Sequence, residues 1–189
     1  MSKIQLKKHD YFSGRSGPVL LIILDGVGIA PPSQDNAVHL ARTPTLDHLM
    51  QSKLFSPLKA HGTAVGMPSE ADMGNSEVGH NALGSGRIFA QGASLVKDAI
   101  ANKSLFHGST WNQLIKNVTS NETALHFIGL LSDGNVHSHI DHLIAMIRQA
   151  EKEQVKKIRI HALLDGRDVG ERTALSYVEK LEHVLSACR

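Results

Sequence analysis

The hydrophobic pattern of the chain has two rhythms. Val19-Leu20-Leu21-Ile22-Ile23-Leu24 is an unbroken run of β-branched residues and leucines, which predicts a strand buried on both faces of a parallel sheet. The run stops at Asp25-Gly26. Thr43-Pro44 then predicts a helix start, with Thr43 as cap and Pro44 in the first helical position, and Leu46, Leu49 and Met50 supply its apolar face. Residues 55–61 read as a short strand. Helical stretches follow over about 94–101 and 110–118. In the second, Trp111, Leu114, Ile115 and Val118 recur at helical spacing, as a core-facing stripe does. From residue 123 the alternation is regular: strand 123–131, amphipathic helix 140–153, strand 157–164, helix 172–187. Such a series predicts right-handed βαβ connections and a parallel sheet, so the fold class is α/β.

Between these blocks lies a stretch of different character, Gly66 to Arg87, punctuated by glycines and poor in bulky apolar residues. Ser69 and Asp72 have the spacing of a capping box opening a helical turn. A second turn is predicted to begin near Asn75, which places Ser76 at or near a helix N-terminus. Backbone N–H groups and the helix dipole favour an anion such as phosphate there. The alternative is a surface loop. The polar segment at 90–93 is the candidate boundary between two structural units, 1–91 and 92–189.

Charge and composition narrow the field modestly. The 189 residues are 41% hydrophobic and 20% charged, ordinary for a globular chain of one domain or two small ones. A formal charge of +2 suits a small anionic substrate and gives no basic patch arguing for nucleic acid. The single cysteine, Cys188, excludes an internal disulfide framework or a cysteine zinc site. No apolar run reaches the length of a membrane span. Met1 to Arg15 is polar and basic without a small-residue cleavage site, so no secretory leader is read and the default location is cytoplasmic.

Candidate chemistry gathers at predicted strand ends. In open α/β sheets, ligands bind beyond the carboxyl ends of strands. Asp25 follows the first apolar run, and its alternative reading is a turn aspartate before glycine. The strand over 123–131 leads into Ser132-Asp133-Gly134-Asn135-Val136-His137-Ser138-His139, and the strand over 157–164 into Asp165-Gly166-Arg167-Asp168. Three strands thus end in, or just before, Asp-Gly. Arg167 offers a planar fork to carboxylate or phosphate, and Asp168 can accept from a substrate hydroxyl; the alternative is a surface ion pair or turn. His137, His139 and His142 invite a metal reading. The favoured reading puts His139 and His142 at a helix start, one capping or packing and one exposed.

Taken in order, Leu24-Asp25-Gly26-Val27-Gly28, Gly74-Asn75-Ser76-Glu77-Val78-Gly79-His80, Gly129 to His139 and Leu164-Asp165-Gly166-Arg167-Asp168 resemble successive motifs of the cofactor-independent (2,3-bisphosphoglycerate-independent) phosphoglycerate mutases, members of the alkaline phosphatase superfamily. The resemblance implies that 1–91 is the N-terminal segment of a metal-binding, alkaline-phosphatase-like parallel-sheet domain. Residues 92–189 would then be the first part of an inserted α/β phosphotransferase domain. It further implies interconversion of 2- and 3-phosphoglycerate in glycolysis through a phosphoserine, with no 2,3-bisphosphoglycerate requirement. Ser76 matches the nucleophile and a metal ligand, Asp25 a ligand of the same metal, and His137, Arg167 and Asp168 substrate-holding positions. Two divalent metal ions, manganese or magnesium, suit hard oxygen donors. The implied partner is a small-molecule substrate, with neither nucleic acid nor membrane, and the full-length enzyme is expected to be monomeric.

Family members are considerably longer. By the resemblance, this chain stops partway through the insert and lacks most of the metal ligands, so inactivity alone is expected. Two alternatives stay open: a truncated, non-catalytic chain that binds phosphoglycerate or a partner, and another metal-dependent phosphomutase of the same superfamily.

Overall fold

A computed structural model describes residues 7–188; the first six residues of the polar Met1–Arg15 stretch lie outside the described residues. The chain divides into two compact units, Met1–Phe55 and Ser56–Arg189.

The first unit carries two short helices, α1 (Ala37–Leu40) and α2 (Pro44–Met50). The Asn36 side chain caps α1 by accepting from the backbone N–H groups of Val38 and His39 at 3.1 and 3.2 Å. Pro44 opens α2 as expected, but the Thr43 hydroxyl donates to Asp47 Oδ1 at 3.0 Å rather than capping the backbone. The predicted strand over 19–24 is absent. Val19 to Leu24 form no ladder, and their side chains are 49–82% exposed. The reason is physical: a strand needs a neighbour for its N–H and C=O groups, and among the described residues this unit contains no other strand. The chain does turn after the run, Val27 N–H donating to the Leu24 carbonyl at 3.4 Å, so Asp25 occupies a turn. The strand expected over 55–61 is also absent.

The second unit contains a one-turn 3-10 helix (Gly62–Val65), α3 (Ser76–Ser85), α4 (Gly92–Ala101), α5 (Ser104–His107), α6 (Ser109–Ser120), β1 (Leu125–Leu131), α7 (Ile140–Lys152), β2 (Ile158–Leu164) and α8 (Ala174–Ala187). β1 and β2 pair in parallel, in register from Leu125↔Ile158 to Leu131↔Leu164, with α7 as the crossover. The α/β expectation therefore holds, with a sheet of two strands among the described residues.

The longer helices beside the sheet are fixed by apolar stripes. On α7, Ile140, Ile144, Ile147 and Ala150 recur every three or four residues and are buried; Ile147 is wholly enclosed, packed with Leu131, Leu181 and Val184. On α6, Trp111, Ile115 and Val118 are buried, whereas Leu114 is 47% exposed because it lies at the edge of that stripe. Trp111 stacks edge-to-face on Phe106 and donates its Nε1–H to the Glu153 carboxylate. These helices cover the sheet face bearing Phe127, Leu131, Ile158 and Ile160. Ile128 and Leu163 on the opposite face remain exposed. No helix among the described residues is long and apolar enough to cross a membrane.

Helices α7 and α8 are also joined by Lys180 Nζ, 3.0 Å from Asp141 Oδ1. The Lys180 ammonium holds the Asp141 carboxyl below the ordinary aspartate value of 3.8. A depressed carboxyl contributes stability above its unfolded pKa and loses it as the pH falls through the folded one. Lys180→Met is expected to cost roughly 0.5 kcal/mol at neutral pH, as partly exposed pairs do. The gap between the two proteins should close below the ordinary aspartate range, as read by thermal melts at pH 7 and in acid.

Candidate active site

Because β1 and β2 run parallel and end at paired residues, Leu131 and Leu164, the loops that follow them emerge at one edge of the sheet. The β1 loop is tied down by its first residue. Ser132 is 1% exposed; its carbonyl accepts from Ile140 N–H at 2.7 Å and its Oγ from Gly134 N–H at 3.0 Å. Ser138 Oγ donates to the Leu130 carbonyl at 2.6 Å, and Asn135, in the left-handed region at φ 58°, donates its N–H to the Ser138 carbonyl. His139 caps α7, its Nδ1 accepting from Asp141 N–H at 3.2 Å. This is the capping role favoured from the sequence. One of His139 and His142 is expected from the sequence to be exposed; both are instead half-buried, side by side. Burial, then the His139 charge, push the His142 pKa down.

The β2 loop is organised by Asp165, whose Oδ1 accepts from the N–H groups of Arg167 at 2.9 Å and Asp168 at 3.1 Å. The Ser132 hydroxyl, set against the same carboxylate, and these two backbone donors hold the Asp165 carboxyl below its ordinary range. The two loops touch. A Cβ on Gly134 would lie 2.6 Å from both Cβ and the carbonyl oxygen of Asp168, so only glycine permits this approach. Tyr177 on α8 donates its hydroxyl to Asp133 Oδ1 at 2.6 Å. His137, Arg167 and Asp168 thus stand on two loops in contact, the first two exposed and Asp168 half-buried.

Ser76 is the first residue of α3, and the Asn75 side chain caps that helix by accepting from Val78 N–H at 3.0 Å. This is the N-terminal position the sequence predicts. The Ser76 hydroxyl lies 3.0 Å from Nδ1 of His80, one helical turn on. Upstream, Ser69 and Asp72 close a turn rather than start a helix: Ser69 Oγ donates to Asp72 Oδ2 at 2.7 Å and Asp72 N–H to the Ser69 carbonyl at 3.2 Å. Burial works to raise the Asp72 pKa, but hydrogen bonds from Asn135 and Ser69 together outweigh it and hold the carboxyl low. The bond from Asn135 Nδ2 to Asp72 Oδ1, 2.6 Å long, joins the serine segment to the β1 loop. A cavity of about 450 Å³ opens beside this junction, lined in part by Ser69, Asp72, Lys97, Asn135, His139 and His142.

Asp25 belongs to the first unit. Among the described residues, no three His, Cys, Asp or Glu side chains come together as a metal site. Asp25 and Ser76 each carry a hard oxygen donor of the kind that suits a divalent cation such as manganese or magnesium. Sequence reasoning missed Ser132, Asn135 and Tyr177 as site-building residues. The place of Ser132, immediately before Asp133-Gly134 at a strand end, was the one available signal.

Comparison with known proteins identifies the family. A family model described as the BPG-independent PGAM N-terminus matches residues 96–189. A probable 2,3-bisphosphoglycerate-independent phosphoglycerate mutase of Leptospira interrogans is 53% identical over 186 residues, 97% of this chain and 34% of that protein. The 2,3-bisphosphoglycerate-independent phosphoglycerate mutase of Trypanosoma brucei brucei is 48% identical over 172 residues, 90% of this chain and 31% of that protein. The crystal structure of Leishmania mexicana phosphoglycerate mutase at low cobalt concentration superposes with a TM-score of 0.81 at 48% identity, covering 88% of this chain and 31% of that one. The chain spans about a third of the length of the curated relatives it matches. It belongs to the 2,3-bisphosphoglycerate-independent phosphoglycerate mutase family.

Proposed function

We propose that this chain carries the nucleophilic serine and part of the phosphoglycerate-holding site of a mutase that interconverts 2- and 3-phosphoglycerate through a phosphoserine. The observation that carries the reading is the contact of Gly134 with Asp168, which holds the loop of His137 against that of Arg167 and Asp168. Arg167 binds the substrate carboxylate or phosphate in its planar fork, Asp168 accepts from a glycerate hydroxyl, and His137 contributes a further polar contact. Ser76 Oγ forms the bond to phosphorus as the phosphate ester bond of the substrate breaks. The serine proton ends on the departing glycerate oxygen, and the reverse step delivers the phosphate to the other hydroxyl. The start of α3 places the positive end of a helix dipole at the charge developing there.

A divalent cation, manganese or magnesium, with Asp25 and Ser76 among the ligands of a two-ion centre, would favour the serine alkoxide. In this reading 1–91 contributes to an alkaline-phosphatase-like domain and 92–189 begins the phosphotransferase domain. The rest of each comes from sequence that this chain does not share with its relatives. The whole enzyme works as a cytoplasmic, glycolytic monomer without 2,3-bisphosphoglycerate, and the chain alone is inactive. The exposed Val19–Leu24 run and the bare sheet face also support self-association of the chain by itself.

The test is calorimetric titration of the chain with 3-phosphoglycerate. Arg167→Ala is expected to weaken binding by roughly tenfold or more, the usual loss for a charged hydrogen-bonding group. Unchanged affinity would remove Arg167 from the substrate site.

A further inference from the structure

The Arg167–Asp168 turn has few anchors of its own, since Arg167 is exposed and its backbone follows an abrupt strand end. What fixes it is Asp165. One carboxylate oxygen accepts both backbone N–H groups of the turn, at 2.9 and 3.1 Å. The other, Oδ2, is enclosed and makes no hydrogen bond, and the Ser132 hydroxyl is set against the carboxylate. Ser132 in turn accepts from Gly134 N–H, and Gly134 lies against Asp168. These four residues close a ring linking the ends of β1 and β2.

We propose that Asp165, backed by Ser132, is a positioning residue that sets the Arg167–Asp168 turn against the loop of His137. This rests on the reading of Arg167 and Asp168 as substrate-holding groups. The role depends on where the acceptor oxygen sits, not on negative charge. Asparagine keeps that oxygen in place and can turn its amide toward Ser132 Oγ, which is able to accept. Glutamate keeps the charge but moves the oxygen by one methylene.

The experiment compares Asp165→Asn and Asp165→Glu in the 189-residue chain, with two readouts. The first is 3-phosphoglycerate affinity: Asp165→Glu should weaken it about tenfold or more, as small misplacements of binding groups do, while Asp165→Asn stays within about threefold of the parent by keeping the acceptor. The second is amide hydrogen exchange. In Asp165→Glu the Arg167 and Asp168 N–H groups should lose protection while the β1 amides keep theirs; in Asp165→Asn both sets stay protected. Asparagine as damaging as glutamate would make the charge the active feature and overturn the proposal. So would unchanged protection at Arg167 and Asp168 in the glutamate variant. Exchange is read without ligand, so it answers the proposal even where Arg167→Ala shows that the substrate reading has failed.

Discussion

Ser76→Ala is expected to abolish phosphoserine formation when the chain is completed by the unmatched part of a relative. The expectation follows from the place of the hydroxyl. Ser76 opens α3 behind the Asn75 cap, its Oγ is 3.0 Å from His80 Nδ1, and alanine there removes the oxygen to which the proposed function assigns the ester to phosphorus. The helix is indifferent to the change, since alanine is the best helix former, so folding should survive. Phosphate incorporation from labelled 3-phosphoglycerate, followed by peptide mapping, reads the result directly. Phosphoenzyme persisting in the variant would place the nucleophile elsewhere.

Gly134→Ala is expected to weaken 3-phosphoglycerate binding by driving the loop of His137 away from that of Arg167 and Asp168. The new Cβ would lie 2.6 Å from both Cβ and the carbonyl oxygen of Asp168. Neither the backbone atom nor a Cβ fixed to it can swing aside, so the two loops must separate. Overpacking of this kind costs about 1–3 kcal/mol, and the Arg167–Asp168 turn moves away from His137 with it. Binding of 3-phosphoglycerate should fall by roughly tenfold or more, with a lowered melting temperature. Gly84→Ala is the matched control: it sits within α3 with nothing within 4 Å of the added Cβ and should leave binding intact while gaining up to about 1 kcal/mol of helix stability. Equal binding by the two variants would mean that the loops need not touch.

The elements legible in the sequence are those whose partners are also in the chain. The alternation from residue 123 onward predicts β1, α7, β2 and α8 to within about two residues at each end, because each apolar run finds its complement nearby. Val19 to Leu24 carries as strong a strand pattern and forms none, since pairing belongs to two segments and hydrophobicity only to one. The start of α3 was legible through Asn75, whose side chain does locally what its residue type predicts. Ser69 and Asp72 have the right spacing for a helix cap, but their side chains bond to each other and close a turn. The ring of Ser132, Gly134, Asp165 and Asp168 was not legible. It joins two loops more than thirty positions apart, and only the parallel register of β1 and β2 brings them together.

The most direct measurement is mutase turnover of 3-phosphoglycerate, with manganese present, by the 189-residue chain alone and by the same chain fused to the unmatched remainder of the Leptospira relative, of which it covers 34%. The account predicts no turnover by the chain alone, and turnover by the fusion that disappears in Ser76→Ala. A fusion that is folded and inactive, or turnover that survives the loss of Ser76, would contradict it.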